Sequence, residues 1–142
     1  MKKHNERNLW RAISMYQLAL IEFMQSEEKS LEGDYILEIN KHKQSIIESA
    51  KIGDFSFSIA LYLLKIGFKI SCRDWNKTSM FIYIQNATTI KKEMARNEVL
   101  SKIEGDINIK SHIDLCDNND IYTGWKPTTK DLFSERWFLV EE

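Results

Sequence analysis

Two tryptophan segments hold the residues of this chain best suited to chemistry. In Lys69-Ile70-Ser71-Cys72-Arg73-Asp74-Trp75-Asn76, an indole stands between a guanidinium and a carboxamide. In Gly124-Trp125-Lys126-Pro127-Thr128-Thr129-Lys130-Asp131-Leu132, a second indole has an ammonium and hydroxyls beside it, and Trp137 follows. A flat base stacked on an indole gains about 1–3 kcal/mol. Arg73 can grip a phosphate through two parallel N–H bonds, and Asn76 can read a base edge or a ribose. Asp114, Thr128 and Asp131 offer hydroxyl or amide contacts, and Asp131 serves equally as a helix cap. The competing reading is that Trp75 and Trp125 simply fill the core. Each lies at the end of an expected strand beside turn residues, so a half-buried ring is expected at both. Trp137 runs into Phe138-Leu139-Val140 and reads as core.

His112 and Asp114 are two residues apart, so on a strand they share a face. Such a pair can be a general acid and base, a ligand contact, or a satisfied polar pair at a sheet edge. No serine or cysteine nucleophile stands beside them, and the chain lacks GxGxxG, GxxxxGK, HExxH and GxSxG. Catalysis is therefore the least favoured of the three. His112-x-x-x-Cys116 with Cys72 supplies three zinc-type ligands and no evident fourth, so no metal and no cofactor are expected.

Composition narrows the partners. At 142 residues with a net charge of −1, the chain is expected to be a single soluble globule. Residues 1–53 carry eight basic and eight acidic side chains, the remainder twelve and thirteen. No basic arm results, which argues against duplex nucleic acid but not against a small anion in a local pocket. The N-terminus shows no signal-type apolar run and no stretch is long enough to span a membrane. The two cysteines read as reduced thiols of a cytoplasmic protein.

The elements that would position these residues follow from periodicity. Leu9, Ile13, Tyr16, Leu20 and Phe23 make a helical apolar stripe, widened by Trp10, Ile21 and Met24. Gly33 is expected just past its end, with Asp34 capping the next start. Ile36, Ile39, Ile46, Ile47 and Ala50 form a weaker second stripe. Residues 1–53 thus read as a helical hairpin and 54–142 as an α+β ligand-binding domain. In the latter, Ser56 and Gly67 bracket a helix through Phe57, Ala60, Leu61 and Leu64. Strands are expected at Phe68–Trp75, Met80–Ile84, Ile107–Cys116, Ile121–Trp125 and Arg136–Val140. Residues 88–103 read as helical or as an irregular loop. Asp117-Asn118-Asn119-Asp120 signals a turn, and Thr128-x-x-Asp131 a capped helical turn. The expected class is α+β, with a small antiparallel sheet packed by one or two helices.

Taken in order, these motifs resemble a known family. Phe57-x-x-Ala60-Leu61-x-x-Leu64-Lys65-x-Gly67-x-Lys69-Ile70-x-x-Arg73-x-Trp75-Asn76, Met80-Phe81-Ile82-Tyr83, His112-Ile113-Asp114 and Trp125-x-Pro127-Thr128-x-x-Asp131-Leu132-x-x-x-x-Trp137 resemble a small phage and prophage domain over about residues 55–142. Its members include the second type of Thoeris anti-defence protein. The resemblance implies a homo-oligomer, dimer or tetramer, with pockets shared between protomers. It also implies sequestration of a cyclic ADP-ribose-type immune signal, or of a cyclic dinucleotide, without turnover. Arg136 departs from the acidic residue that relatives often carry there, and the hairpin lies outside the resemblance.

The expectation is a non-enzymatic sponge in the host bacterial cytoplasm. Its candidate ligand contacts are Arg73, Trp75, Asn76, His112, Asp114, Trp125, Thr128 and Asp131. The alternative is a protein–protein interaction module of phage or prophage origin, whose hairpin docks a partner.

Overall fold

The computed structural model describes residues 2–26, 32–77 and 79–141. Two long helices, α1 (Lys2–Gln25) and α2 (Glu32–Ala50), form the hairpin and lead into a shorter helix, α3 (Phe57–Ile66). A five-stranded antiparallel sheet follows, built from β1 (Ile70–Cys72), β2 (Met80–Gln85), β5 (His112–Asp117), β6 (Asp120–Tyr122) and β7 (Trp137–Leu139). Its strand order is β6-β5-β2-β1-β7. Between β2 and β5 the chain makes a separate two-stranded sheet, β3 (Thr88–Ile90) with β4 (Ile107–Ile109), and a short helix, α4 (Glu98–Ser101). A last short helix, α5 (Thr129–Phe133), precedes β7. The class is α+β, as the periodicity predicts.

Helix α3 is apolar on most of its surface because it lies between hairpin and sheet. Ile59, Ala60, Leu63 and Leu64 are all fully buried, and they share one core with Ile70, Cys72, Ile82 and Trp137. Leu9, Ile13, Ile46 and Ala50 of the hairpin belong to the same cluster. The helix ends as its sequence dictates. Gly67 takes a left-handed φ of 116°, its N–H bonds Leu64 O, and the Phe68 N–H reaches back to Leu63 O. That pairing satisfies carbonyls that would otherwise be orphaned, and only glycine adopts the turn without strain. Ser56 sits at the N-cap position, but its hydroxyl makes no capping bond. Its backbone N–H instead donates to Glu6 Oε1 at 3.3 Å, which ties the helix start to α1.

Several sequence expectations need correcting. Ile21 and Met24 do not widen the α1 seam; they are exposed, at 49% and 74%, and the small residues Ala12 and Ala19 are buried in their stead. Small side chains let two helices approach closely, so the seam is narrower than a hydrophobicity count suggests. Gly33 and Asp34 lie inside α2 and so neither ends α1 nor caps α2. The expected strand at 107–116 is broken at Lys110–Ser111, where Ser111 Oγ accepts the Ala87 N–H, and only its second half joins the main sheet. The 88–103 segment opens with β3, which the helical reading of Ile90 and Met94 passes over. The strand at Met80–Ile84 forms as expected and runs on to Gln85, the remaining strands form at shorter lengths than expected, and Trp75 and Trp125 lie outside them.

Candidate functional site

Trp75, Trp125 and Trp137 gather at the sheet end nearest α5. Trp137, fully buried, is the hub. Trp75 meets it edge-on with ring centroids 5.2 Å apart, and Trp125 does the same at 6.3 Å. Phe57 closes the cluster at 5.3 Å from Trp137. Trp75 and Trp125 are half-buried and rest against the core. Their own rings are 6.2 Å apart and inclined at 64°, so they make an edge contact and leave no slot for a flat ring between them.

Trp75 is anchored by chemistry that starts in α5. Thr128 caps this helix: its hydroxyl accepts the Asp131 N–H at 3.2 Å, and Asp131 Oδ2 accepts the Thr128 N–H at 2.8 Å. This is the reciprocal capping box that Thr128-x-x-Asp131 predicts. The other carboxylate oxygen, Oδ1, accepts the Trp75 Nε1–H at 2.9 Å, and the Asp131 carbonyl accepts the Trp137 Nε1–H at 3.0 Å. One buried aspartate therefore orients both indoles, and both of its oxygens are engaged within the chain.

A cleft of about 350 Å³ opens beside Trp75, lined by Asp74, Trp75, Asn76, Lys77, Met80, Lys130 and Asp131. It offers a flat apolar wall, an exposed carboxamide, two carboxylates and two ammonium groups. Asp74 is part of a network. Ser134 Oγ donates to its Oδ2 at 2.5 Å, and Arg136 Nη1 donates to its Oδ1 at 2.8 Å. These contacts, the Ser134 hydroxyl first and Arg136 next, hold the Asp74 carboxyl below its usual range, with help from the Lys130 charge. An acidic residue at 136 could not make this pair. The departure at that position is thus matched to Asp74.

The other sequence candidates lie elsewhere. Strand alternation places Lys69, Ser71 and Arg73 on the face opposite Ile70 and Cys72. There the Arg73 guanidinium covers the Phe138 ring at 4.2 Å, and its Nε lies 2.8 Å from both oxygens of Asp54. Arg73 is therefore not at the Trp75 cleft. His112 and Asp114 share a face of β5, as their spacing predicts, with Nε2 3.2 Å from Oδ1. Asp114 is 3% exposed and also accepts the Gly124 N–H at 3.1 Å, while His112 Nδ1 lies 2.8 Å from Lys110 O. Tyr83, directly across the strand pair from Asp114, has its hydroxyl pKa raised by burial first and by Asp114 next. The pair is a tied polar unit on the side away from the indoles.

The structure thus brings together Trp75, Asn76, Trp125, Thr128 and Asp131, and separates them from Arg73 and from His112 with Asp114. Sequence reasoning passed over Asp74, Lys77, Met80 and Lys130. The signal was available for two of them: Asp74 adjoins Trp75, and Lys130 sits inside the capping segment. Cys72 Sγ is 3.3 Å from Ser134 Oγ, and Cys116 Sγ donates to Asn118 O at 3.0 Å. Among the described residues, no group of three or more His, Cys, Asp or Glu side chains is arranged to hold a metal ion. No described helix is long and apolar enough to cross a membrane.

The family model described as Tad2-like, Thoeris anti-defense 2-like domain, matches residues 55–140, more than half of the chain. The matched span runs from Phe55, which bridges to Trp137, through the tryptophan cluster to the end of β7. No curated protein matches the chain.

Proposed function

The chain belongs to the Tad2-like family of Thoeris anti-defense 2-like domains, and on that footing we propose that it binds a cyclic nucleotide immune signal and holds it intact. Family membership supports a phage anti-defence role. The finer reading is a sponge for a cyclic ADP-ribose-type signal, or for a cyclic dinucleotide, acting in the host bacterial cytoplasm.

The observation that carries it is the Trp75 wall. Its indole is half-buried, locked in orientation by Asp131, and faces a cleft with Asn76 and Lys130 at the edge. A locked ring loses little freedom when a base stacks on it, which is what tight capture requires. Nanomolar capture corresponds to about −12 kcal/mol. Stacking supplies about 1–3 kcal/mol of that per base. The rest calls for charged contacts and closure of the open side. A second copy of the chain would supply closure, which favours a dimer or tetramer. Leu132 and Phe133, on the helix that carries Lys130 to the cleft, are 49% and 81% exposed and offer an apolar contact for that copy. Binding without turnover fits the arrangement, because the Ser134 hydroxyl beside Asp74 is buried and does not line the cleft.

Calorimetric titration with a panel of cyclic ADP-ribose isomers and cyclic dinucleotides tests the proposal. One member should bind tightly and be recovered unchanged after heat denaturation of the protein. Failure of the whole panel to bind would sink it. A linear or hydrolysed product would replace the sponge with an enzyme and direct attention to His112 and Asp114.

One observation favours the reading as a protein-interaction module. Leu18, Met24 and Leu37 of the hairpin are 50%, 74% and 69% exposed. Co-purification of a stoichiometric partner that Leu18→Glu releases would support it.

A further inference from the structure

Helix α1 has a second ordered face. Helices α2 and α3 pack on one side of it, where Leu9, Ala12 and Ile13 are buried. At 3.6 residues per turn, Arg11, Met15, Leu18 and Glu22 fall within about 60° of one another on the other side. All four are exposed, Met15 at 44% and Leu18 at 50%. The steps along this stripe are four, three and four residues, so the spacing reads the same from either end. The charges do not. The stripe begins on a cation and ends on an anion.

A surface of that form is complementary to itself. A second copy can lie antiparallel on it, about a two-fold axis midway between Met15 and Leu18. Met15 then meets Leu18 of the other copy, Arg11 meets Glu22 of the other copy, and each contact occurs twice. The apolar contacts lie at the centre and the ion pairs at the rim, the usual order in a protein interface. A parallel arrangement would oppose Arg11 to Arg11 and Glu22 to Glu22. Charge therefore selects the antiparallel one.

Neighbouring groups reinforce both ends. Arg7 lies one turn before Arg11 and is also exposed. Glu22 borders a cleft of about 260 Å³ between the hairpin helices, lined also by Asp34 and Glu38. Glu38 contacts His42 at 3.1 Å, and Asp34 is exposed. One end of the face is thus basic and the other acidic. Among the described residues, neither Arg11 nor Glu22 enters an ion pair within its own chain, so both charges are available to a second copy.

We infer that the outer face of α1 is an isologous interface with a second copy of this chain, in which two Met15–Leu18 contacts are flanked by two Arg11–Glu22 ion pairs. Its residues all lie outside residues 55–140, so the hairpin adds an assembly contact that the matched domain lacks. It is independent of the nucleotide-binding reading and of the apolar contact at Leu132 and Phe133. A contact of one helix from each copy belongs with the small, reversible interfaces, below about 1,200 Å² of buried surface.

Sedimentation equilibrium of the full chain over a concentration series tests this. The weight-average mass should rise with concentration, and Leu18→Glu should lower it. Arg11→Glu and Glu22→Arg should each weaken self-association by about tenfold or more, because each opposes like charges at both ends of the pair. An equimolar mixture of these two variants should regain most of the wild-type affinity, since every end of the mixed pair again sets an arginine against a glutamate. Association through Leu132 and Phe133 is common to all variants and drops out of the comparison. Circular-dichroism melts should match the wild type, as expected for exposed side chains. Wild-type mass in Leu18→Glu at every concentration, undiminished association in the two charge variants, or a mixture no stronger than its separate components each overturns the inference. So does a different protein that Leu18→Glu releases while self-association is untouched, because the face then docks that protein instead.

Discussion

The two faces of the five-stranded sheet are built on different principles. The face under α3 is continuous core, with Ile70, Cys72, Ile82 and Trp137 all buried. At its end the core thins into Trp75 and Trp125, which keep one side in contact with Trp137 and leave the other open. The opposite face has no described helix over it and is organised by pairs: Arg73 on Phe138, Lys69 on Phe81, His112 beside Asp114. Each charge there has already found a partner within the chain. The first face offers surface held rigid by the core behind it. The second offers polar groups whose bonding capacity is largely spent. Recognition gains more from the first, because an aromatic wall costs little to desolvate and nothing to reorganise.

The comparison breaks most visibly at the tryptophans. Trp137→Ala should remove about 3–5 kcal/mol of stability, a large share of what a domain of this size possesses. Melting should fall by on the order of 10 °C, and any ligand binding should vanish with the fold. Trp75→Ala should behave differently. A half-buried ring and one hydrogen bond to Asp131 cost about 1–3 kcal/mol, leaving a cooperative melt. Ligand affinity should nevertheless drop by about tenfold to a hundredfold, the equivalent of one stacked base. If Trp75→Ala binds as tightly as the wild type, the indole is only core and the distinction between hub and wall disappears.

A smaller effect separates the two faces directly. Asp114→Ala takes the charged acceptor from the Gly124 N–H and should cost about 1–3 kcal/mol. His112→Ala removes a partly exposed partner and should cost less, about 1 kcal/mol. Neither should change ligand affinity by more than about twofold, since neither side chain lines the Trp75 cleft. Calorimetry on variants confirmed to be folded measures this. A large affinity loss in His112→Ala would mean that the ligand spans both faces.

How far the sequence foretold this arrangement depended on the range of the interactions. Features set by a few neighbouring residues were legible: the α3 stop at Gly67, the Thr128–Asp131 capping box, the β-rich run at Met80–Ile84, and the turn at Asn118, whose φ of 57° suits asparagine. The pairing of His112 with Asp114 followed from alternation alone. Features set by distant partners were not. Strand β3 exists because Thr88–Ile90 pairs with Ile107–Ile109, and nothing local to Ile90 signals that. Gly33 looked like a stop because glycine usually is one, yet a cavity-free, exposed position within a helix tolerates it. Arg73 is two residues from Trp75, but the chain turns after Cys72, and its guanidinium follows Ser71 to the other face. The link from Asp131 to the Trp75 indole spans 56 residues and is invisible to any local reading.

The finest prediction concerns the rim of the Trp75 cleft, where the first face meets solvent. Asp74 has its carboxyl pKa lowered, chiefly by the Ser134 hydroxyl and then by Arg136. A depressed folded pKa means that the ionised form is the one the fold favours. The associated stability is present above the unfolded pKa of about 3.9 and is lost as pH falls through the lower, folded value. Around neutrality Asp74 is therefore a fixed negative charge next to the cleft, and its titration lies in the acid range. Carbon-detected NMR of the Asp74 carboxyl should place its midpoint below that of an ordinary aspartate. Ser134→Ala should move the midpoint upward, and Arg136→Gln should move it the same way, because each removes a cause of the lowering. Both shifts should be small against the loss of Trp137. An unshifted midpoint in both variants would show that Asp74 is solvated like any surface carboxylate. In that case the Arg136 pair does not shape the cleft, and the rim is as indifferent to its neighbours as the opposite face is committed to them.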